Sequence, residues 1–292
     1  MSRAWILNFD VEEEMEDPSR TTRTAALARR VHDLAARVGS LLGPGDVVVD
    51  AAAGAAVRNG RGYAGRAWCP TPRALAALER SGAEPPMAPR LDVLRRTNHR
   101  AFSAELGQTL PGGRYVRSWT ELEDALSATP TDSWLLKRAF GFAGRGRRRV
   151  RSEEARGVAR TWIEASLRAE GLQVEPWVER CGDFGLHGFL DRDGVVYLGE
   201  PTEQEVDETG AWLRSSRAEP RALSPEERVT LVAEAERTAG ALRDGGYFGP
   251  FGIDAYRWRT NAGELAWNPR SEINARYSMG WAVGMGELRP DL

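Results

Sequence analysis

The chain has 292 residues, with 40 Lys+Arg against 42 Asp+Glu, a formal net charge of -2, 41% apolar residues, three His and two Cys. This length suggests two domains, or one large α/β unit with an added lobe, and the apolar share argues against general disorder. Near-neutral charge excludes a globally basic nucleic-acid binder and a strongly acidic tail. Lys137 is the single lysine among those 40 basic residues, which leaves 39 arginines. Cys69 and Cys181 fit no metal-ligand spacing and suit a reduced chain. The N-terminus lacks a long apolar core with a cleavage site, and no stretch approaches the ~18 apolar residues of a membrane span. A cytoplasmic location is expected.

In chain order, 4–9 (AWILNF) reads as a buried strand, followed over 10–17 by an acidic loop whose contiguous carboxylates are expected to be solvated. Helical spacing runs over 24–42, stopped by Gly43-Pro44-Gly45, and 46–50 (DVVVD) reads as a short buried strand. Strand, helix, strand suggests a parallel α/β opening. Thr71 starts a helix reaching about Arg80 with Pro72 in its first turn, and 81–90 reads as a linker. A second segment begins near Leu91. It has a helix over 98–107, an extended piece at 114–117, and a helix over 118–127 with a Ser118/Glu121 capping box. A strand at 134–139, a glycine loop and a second strand to Arg151 follow, then one long helix over 152–170. Three strands are expected over 172–178, 183–190 and 195–200, a loop over 201–223 and an amphipathic helix over 224–243. The chain closes on strands around 247–258 and 263–268.

Three stretches carry chemistry. Lys137 ends a strand and is followed by Gly141, Gly144 and Gly146 before the next strand. Glycines let backbone N–H groups approach phosphate oxygens while the lysine supplies a compact charge. No Gly-Lys-Ser/Thr follows, so this is not a Walker loop. Glu175-Pro-Trp177-Val178 ends an apolar strand, where backbone groups can meet an adenine edge, and Asp183, eight residues after Glu175, is a carboxylate able to accept from ribose hydroxyls. Third, Asp254 in GIDAY is followed one hairpin later by Glu272-Ile-Asn274-Ala-Arg276. Alternation places Glu272, Asn274 and Arg276 on one face. Two carboxylates and an amide make an oxygen-only site suited to Mg²⁺ bridged to phosphates, with Arg276 beside it for a carboxylate or phosphoryl group.

This order of parts resembles the ATP-grasp superfamily over roughly residues 91–285, and the glycine loop around Arg145 is similar to that of the biotin carboxylase branch. The resemblance implies an α/β fold in which two α+β lobes, 91–175 and 176–292, hold ATP. Residues 1–90 would form a small Rossmann-like domain ahead of them. It implies that Lys137 contacts the phosphates and that Gly141, Gly144 and Gly146 fold over them, with Arg145 in the loop. Arg100 stands where the family usually has an earlier phosphate lysine. Glu175, Trp177 and Val178 would take the adenine, Asp183 the ribose, and Asp254, Glu272 and Asn274 would ligate Mg²⁺, with Mn²⁺ as the alternative. Arg276, Lys137 and Arg145 would act on the reacting groups, and Glu200, Thr202 and Gln204 would line the substrate side.

The implied activity is an ADP-forming ligation of a small-molecule or peptide carboxylate to an amine through an acyl-phosphate. The rivals are a kinase that stops at phosphorylation and a non-catalytic nucleotide- or nucleic-acid-binding module. Nucleic acid and membrane are not expected partners, and the resemblance leaves room for a homodimer. His32, His99 and His187 are dispersed and read as structural, His187 being the best placed for an active-site face.

Overall fold

The computed structural model describes residues 2–19, 25–35, 37–49, 62–141, 146–207 and 212–291. Its strands form three sheets. In the first, β1 (Arg3–Ile6) lies between β2 (Val47–Val48) and β3 (Ala64–Ala67), all parallel. Ala4, Trp5 and Ile6 are buried in succession, as a parallel strand covered on both faces requires. Helices α1 (Val11–Glu16), α2 (Ala25–Ala35) and α3 (Pro72–Ser81) follow the same stretch of chain. Thr71 caps α3 by accepting from the Ala74 N–H, Pro72 occupies its first turn, and Gly82 ends it at φ 83°.

Three expectations are corrected here. The acidic stretch is helical, with Glu12 and Glu14 buried rather than solvated. Each has a distant partner that local sequence does not reveal: the Thr71 hydroxyl donates to Glu14 at 3.0 Å, and Arg276 pairs with Glu12. The strand at DVVVD is short, and its Val48 is exposed. The supposed linker is anchored, because Glu84 bridges Ala64 in parallel and Ala83 is buried.

Helices α4 (Leu91–Asn98) and α5 (Arg100–Glu105) lead into the second sheet. Its strands are β4 (Arg114–Val116), β5 (Ser133–Arg138), β6 (Arg147–Arg151) and β7 (Leu172–Pro176), in the antiparallel order β4-β7-β5-β6. Helix α6 (Trp119–Ala128) starts with the expected Ser118/Glu121 box. The expected long helix is divided at Gly157, whose backbone leaves the helical region, into α7 (Ser152–Arg156) and α8 (Arg160–Ala169). Trp134, Leu136, Val174, Leu122 and Ile163 form this unit's own core.

The third sheet contains β8 (Glu179–Leu190), β9 (Val196–Leu198), β10 (Thr202–Val206), β11 (Trp212–Arg217), β12 (Gly249–Arg259) and β13 (Leu265–Asn274). Its order is β11-β10-β8-β12-β13, with β9 also on β8. Residues expected as a loop over 201–223 thus supply β10 and β11. Their polar TEQEV and WLRSSR runs lie at one side of the sheet, β11 as its edge strand and β10 between β11 and β8, and of the two runs only Thr202 is buried. Helix α9 (Pro225–Asp244) packs Leu231, Ala235 and Leu242 into the core that holds Leu186, Phe251 and Ile253. Trp5, Phe9 and Trp68 join that same core, so the first and third sheets share apolar packing. Helix α10 (Trp281–Met285) closes the chain.

Candidate active site

A cavity of about 230 Å³ opens where the second and third sheets face each other, with Phe9 and Trp68 of the N-terminal segment on its wall. Arg100, Lys137, Gly141 and Asp183 line it together with Asp254, Glu272, Asn274 and Arg276. Residues as much as 271 positions apart in sequence, Phe9 and Gly280, therefore meet at one place.

Lys137 lies near the end of β5, 5% exposed, with Nζ 2.8 Å from the Glu175 carboxylate on β7. Burial lowers its ammonium pKa, and the Glu175 charge works against that shift. Arg147 stands in register beside it on β6 and also lines the cavity. Arg100 opens α5 and donates from Nη1 to the Arg138 carbonyl at 2.8 Å and from Nη2 to Glu272 at 2.9 Å.

Across the cavity, the β12–β13 register sets Asp254 opposite Glu272 and Gly252 opposite Asn274. Asp254 accepts from Gln204 Nε2 at 2.8 Å and Asn274 Nδ2 at 3.1 Å. Burial, and then the Glu272 charge, push its pKa up to about 6. Burial opposes ionisation of Glu272 too, but Arg100, Lys137 and Arg276 hold that carboxyl below its ordinary value. Adjacent acids with divergent pKa values are a mark of functional sites. β13 ends at Asn274, so Arg276 reaches the cavity from beyond the strand rather than by alternation along it. Its guanidinium pairs with buried Glu12 and donates to the Tyr277 carbonyl at 3.1 Å.

Two acids and an amide, all oxygen donors, fit a hard divalent cation that completes its shell with phosphate and water. Among the described residues no three or more His, Cys, Asp or Glu cluster as a self-sufficient metal cage. Buried Arg100 Nε and Arg276 Nε have no hydrogen-bond partner among the described residues, leaving two donors for an anion.

The Asp254 shift has a consequence for stability. Its folded pKa of about 6 exceeds the ordinary 3.8, so the contribution is fully present below 3.8 and is lost as pH rises through about 6. At ~1.36 kcal/mol per unit the loss is about 3 kcal/mol. Urea midpoints in chelator should accordingly fall between pH 5 and 7.5, and a flat profile would contradict the buried acid.

Of the remaining expected site residues, Glu175, Gly146, Trp177 and Val178 lie off the cavity wall. Glu175 meets the site through Lys137, and Gly146 forms the turn that joins β5 to β6, its carbonyl accepting from Arg138 N–H at 2.7 Å. Trp177 is 42% exposed with Arg149 4.3 Å over its ring, and its N–H donates to Ser133 O at 2.9 Å. Asp183 accepts from Arg180 at 2.9 Å, and the Arg180 guanidinium lies 3.9 Å over Tyr256. Gly144 and Arg145 lie outside the described residues. On the substrate side Gln204 lines the cavity, Thr202 is buried, and Glu200 pairs outward with Arg228. Arg180 and Ser278 join the site without a distinctive local signal, and Arg147 belongs to the arginine run that follows the glycine loop.

His187, in the middle of β8, also lines the cavity although 1% exposed. A Cβ at Gly252 would stand 2.7 Å from its Nδ1. Gly252→Ala is expected to cost about 1–3 kcal/mol through overpacking, read by urea denaturation. Gly240→Ala on α9, where nothing lies within 4 Å of the added carbon, should be neutral or stabilising by up to about 1 kcal/mol.

No protein-family model matches the chain, and no curated protein does. Solved structures of ATP-grasp enzymes do resemble it. Biotin carboxylase of Campylobacter jejuni, crystallised as a β,γ-ATP complex, is 14% identical at a TM-score of 0.57, covering 97% of this chain and 67% of that one. N5-carboxyaminoimidazole ribonucleotide synthetase of Thermus thermophilus is 22% identical at 0.52, covering 94% and 71%. The biotin carboxylase domain of Hydrogenobacter thermophilus 2-oxoglutarate carboxylase, crystallised with MgADP, ADP and bicarbonate, is 20% identical at 0.51. There the match covers 70% of this chain but 45% of the other, less than half its length. The fold is the ATP-grasp fold: two α+β lobes closing on a cleft, preceded by a small parallel sheet.

Proposed function

We propose that the chain is an ATP- and Mg²⁺-dependent ligase that joins a carboxylate to an amine through an acyl-phosphate, releasing ADP and phosphate. The observation that carries this reading is one cavity holding Arg100, Lys137, Arg147 and Arg276 together with Asp254, Glu272 and Asn274. Lys137 and Arg100 gather charge on the phosphates, the glycine turn covers them, Val178 and Glu175 meet the adenine and Asp183 the ribose. Asp254, Glu272 and Asn274 would hold Mg²⁺, which supplies charge neutralisation at the phosphoryl group. A substrate carboxylate, steadied by Arg276, attacks Pγ and ADP leaves. The amine then adds to the acyl carbon, the C–O bond to phosphate breaks, and the amine proton leaves with the departing phosphate. Residues 1–90, through Phe9 and Trp68, would close the substrate end. The protein contributes positioning and electrostatics and requires no nucleophilic side chain.

The test is ADP formation by purified protein with ATP, Mg²⁺ and pooled carboxylic acids, using hydroxylamine as a general amine. An acid-dependent hydroxamate is the expected product. A stable phosphorylated product that forms without any amine would replace the ligase with a kinase. Absence of ADP with every pool would overturn catalysis.

A further inference from the structure

The imidazole of His187 sits in a cradle of glycines from three parts of the chain. A Cβ at Gly252, Gly280 or Gly284 would stand 2.7 Å from a ring atom, and one at Gly185 would stand 3.1 Å away. Such spacing excludes any larger residue unless the ring moves. The hydrogen bonds around the ring run in one direction, and they fix its tautomer. Thr202 Oγ1 donates to the Gly185 carbonyl at 3.2 Å, so its hydrogen is engaged. It therefore accepts from His187 Nε2, at 3.3 Å. Burial pushes the imidazole pKa down to about 4, so the ring is neutral and Nδ1 carries a bare lone pair. Ser278 Oγ lies 3.0 Å from that nitrogen and must donate to it. The serine has one hydrogen and it is committed, so toward the cavity that Ser278 lines it is an acceptor only.

A second observation gives the chemistry of the ligand. Trp212 Nε1 donates to Ser215 Oγ at 2.8 Å, and a Cβ at Gly280 would touch both Ser215 Oγ (3.0 Å) and His187. The Trp212 side chain also lines the cavity, its indole N–H held by Ser215. An acceptor-only hydroxyl favours an N–H donor, such as the neutral amine that attacks the acyl carbon, and disfavours a carboxylate.

We propose that Ser278 is the binding residue for the amine co-substrate, with His187 and Thr202 as positioning residues that keep its oxygen an acceptor. This rests on the carboxylate–amine ligase reading. It adds which wall of the cavity receives the amine and why that wall rejects a second acid. The amine is thereby held on the same cavity wall as Arg276, two residues away in the chain.

The experiment uses the full chain and separates the two half-reactions. Positional isotope exchange in ¹⁸O-labelled ATP, with the carboxylate and no amine, reads acyl-phosphate formation alone. Hydroxamate formation across a hydroxylamine series reads amine binding. Ser278→Ala should raise the KM for hydroxylamine about tenfold or more while leaving isotope exchange within about twofold of the parent. Ser278→Thr, which keeps the hydroxyl, should rescue it. Because a His187→Ala variant faces a folding risk, His187→Asn is used: its amide oxygen can accept from Ser278, and it should retain most of the amine affinity. In the parent protein, ¹⁵N NMR should show His187 protonated at Nε2 and bare at Nδ1. Normal exchange with an unchanged hydroxylamine KM in Ser278→Ala overturns the amine subsite alone, as does an Nδ1-protonated ring. Absence of exchange in the parent with every carboxylate overturns the ligase reading and this subsite with it.

Discussion

Asp254→Asn is expected to abolish turnover while making the metal-free protein more stable. Asp254 has a neighbouring carboxylate and is desolvated, and both keep its pKa near 6. At pH 7.5 the metal-free protein therefore holds an unfavourable buried charge. Asparagine removes it, and the amides of Gln204 and Asn274 can turn over to meet the new NH₂ group. A gain of about 1–3 kcal/mol above pH 6 follows, shrinking to nothing near pH 4. Under the proposed ligase reading, loss of this carboxylate from the metal-binding set should lower ADP formation about a thousandfold, comparable to removing a dedicated charge-stabilising group. Both arms are measurable on one preparation, by urea denaturation in chelator and by coupled ADP release with Mg²⁺. A variant both less stable and fully active would mean that Asp254 is a structural acid. Glu272→Gln should differ in sign on stability, because it leaves the Arg100 guanidinium without its charged partner.

Lys137→Met is expected to lower stability by about 3–5 kcal/mol and ATP turnover at least about a hundredfold. The ammonium and the Glu175 carboxylate are both buried at 2.8 Å, so deleting one leaves the other uncompensated. Combining Lys137→Met with Glu175→Gln should recover most of the stability, since no unpaired charge remains, but none of the turnover. That separation of fold from function is the informative result. If the double variant regained activity as well, the lysine would be a structural partner of Glu175 and no phosphate ligand. Lys137→Arg should also be impaired. A guanidinium cannot rotate three donors around a phosphate as an ammonium does, and its planar fork does not reproduce the compact charge set against Glu175.

The legible parts of the sequence were those with short-range chemistry. Ser118 with Glu121, Ser224 with Glu227, and Thr71 with Pro72 announce helix starts because a side chain meets a backbone N–H three residues on. Lys137 with its glycines, and Asp254 ahead of Glu272 and Asn274, were equally visible, since a hairpin sets their spacing. The misread parts depended on distant partners. A run of acids over 10–17 looks solvated until Arg276 and Thr71 are supplied from elsewhere. β10 and β11 have the composition of a loop because β11 is an edge strand and β10 beside it fully buries only Thr202.

Sequence alone determined the residue types that meet in the cavity and their order, and through the resemblance that this order carries, the expectation of a two-lobed α/β architecture. Those signals are local: periodicity, caps and hairpin register act over a few residues. Tertiary structure alone decided which groups are partnered and in what ionisation state. Arg276 engages Glu12 across 264 residues, and the Asp254 and Glu272 pKa values are driven in opposite directions. The lone histidine of β8, read as structural, stands in a glycine cradle that turns a serine into an acceptor. The physical reason is that desolvation and Coulomb energy depend on distances in space, which a chain acquires only on folding. The one lysine among 39 arginines illustrates both levels: its place in the strand could be read, its burial against Glu175 could not.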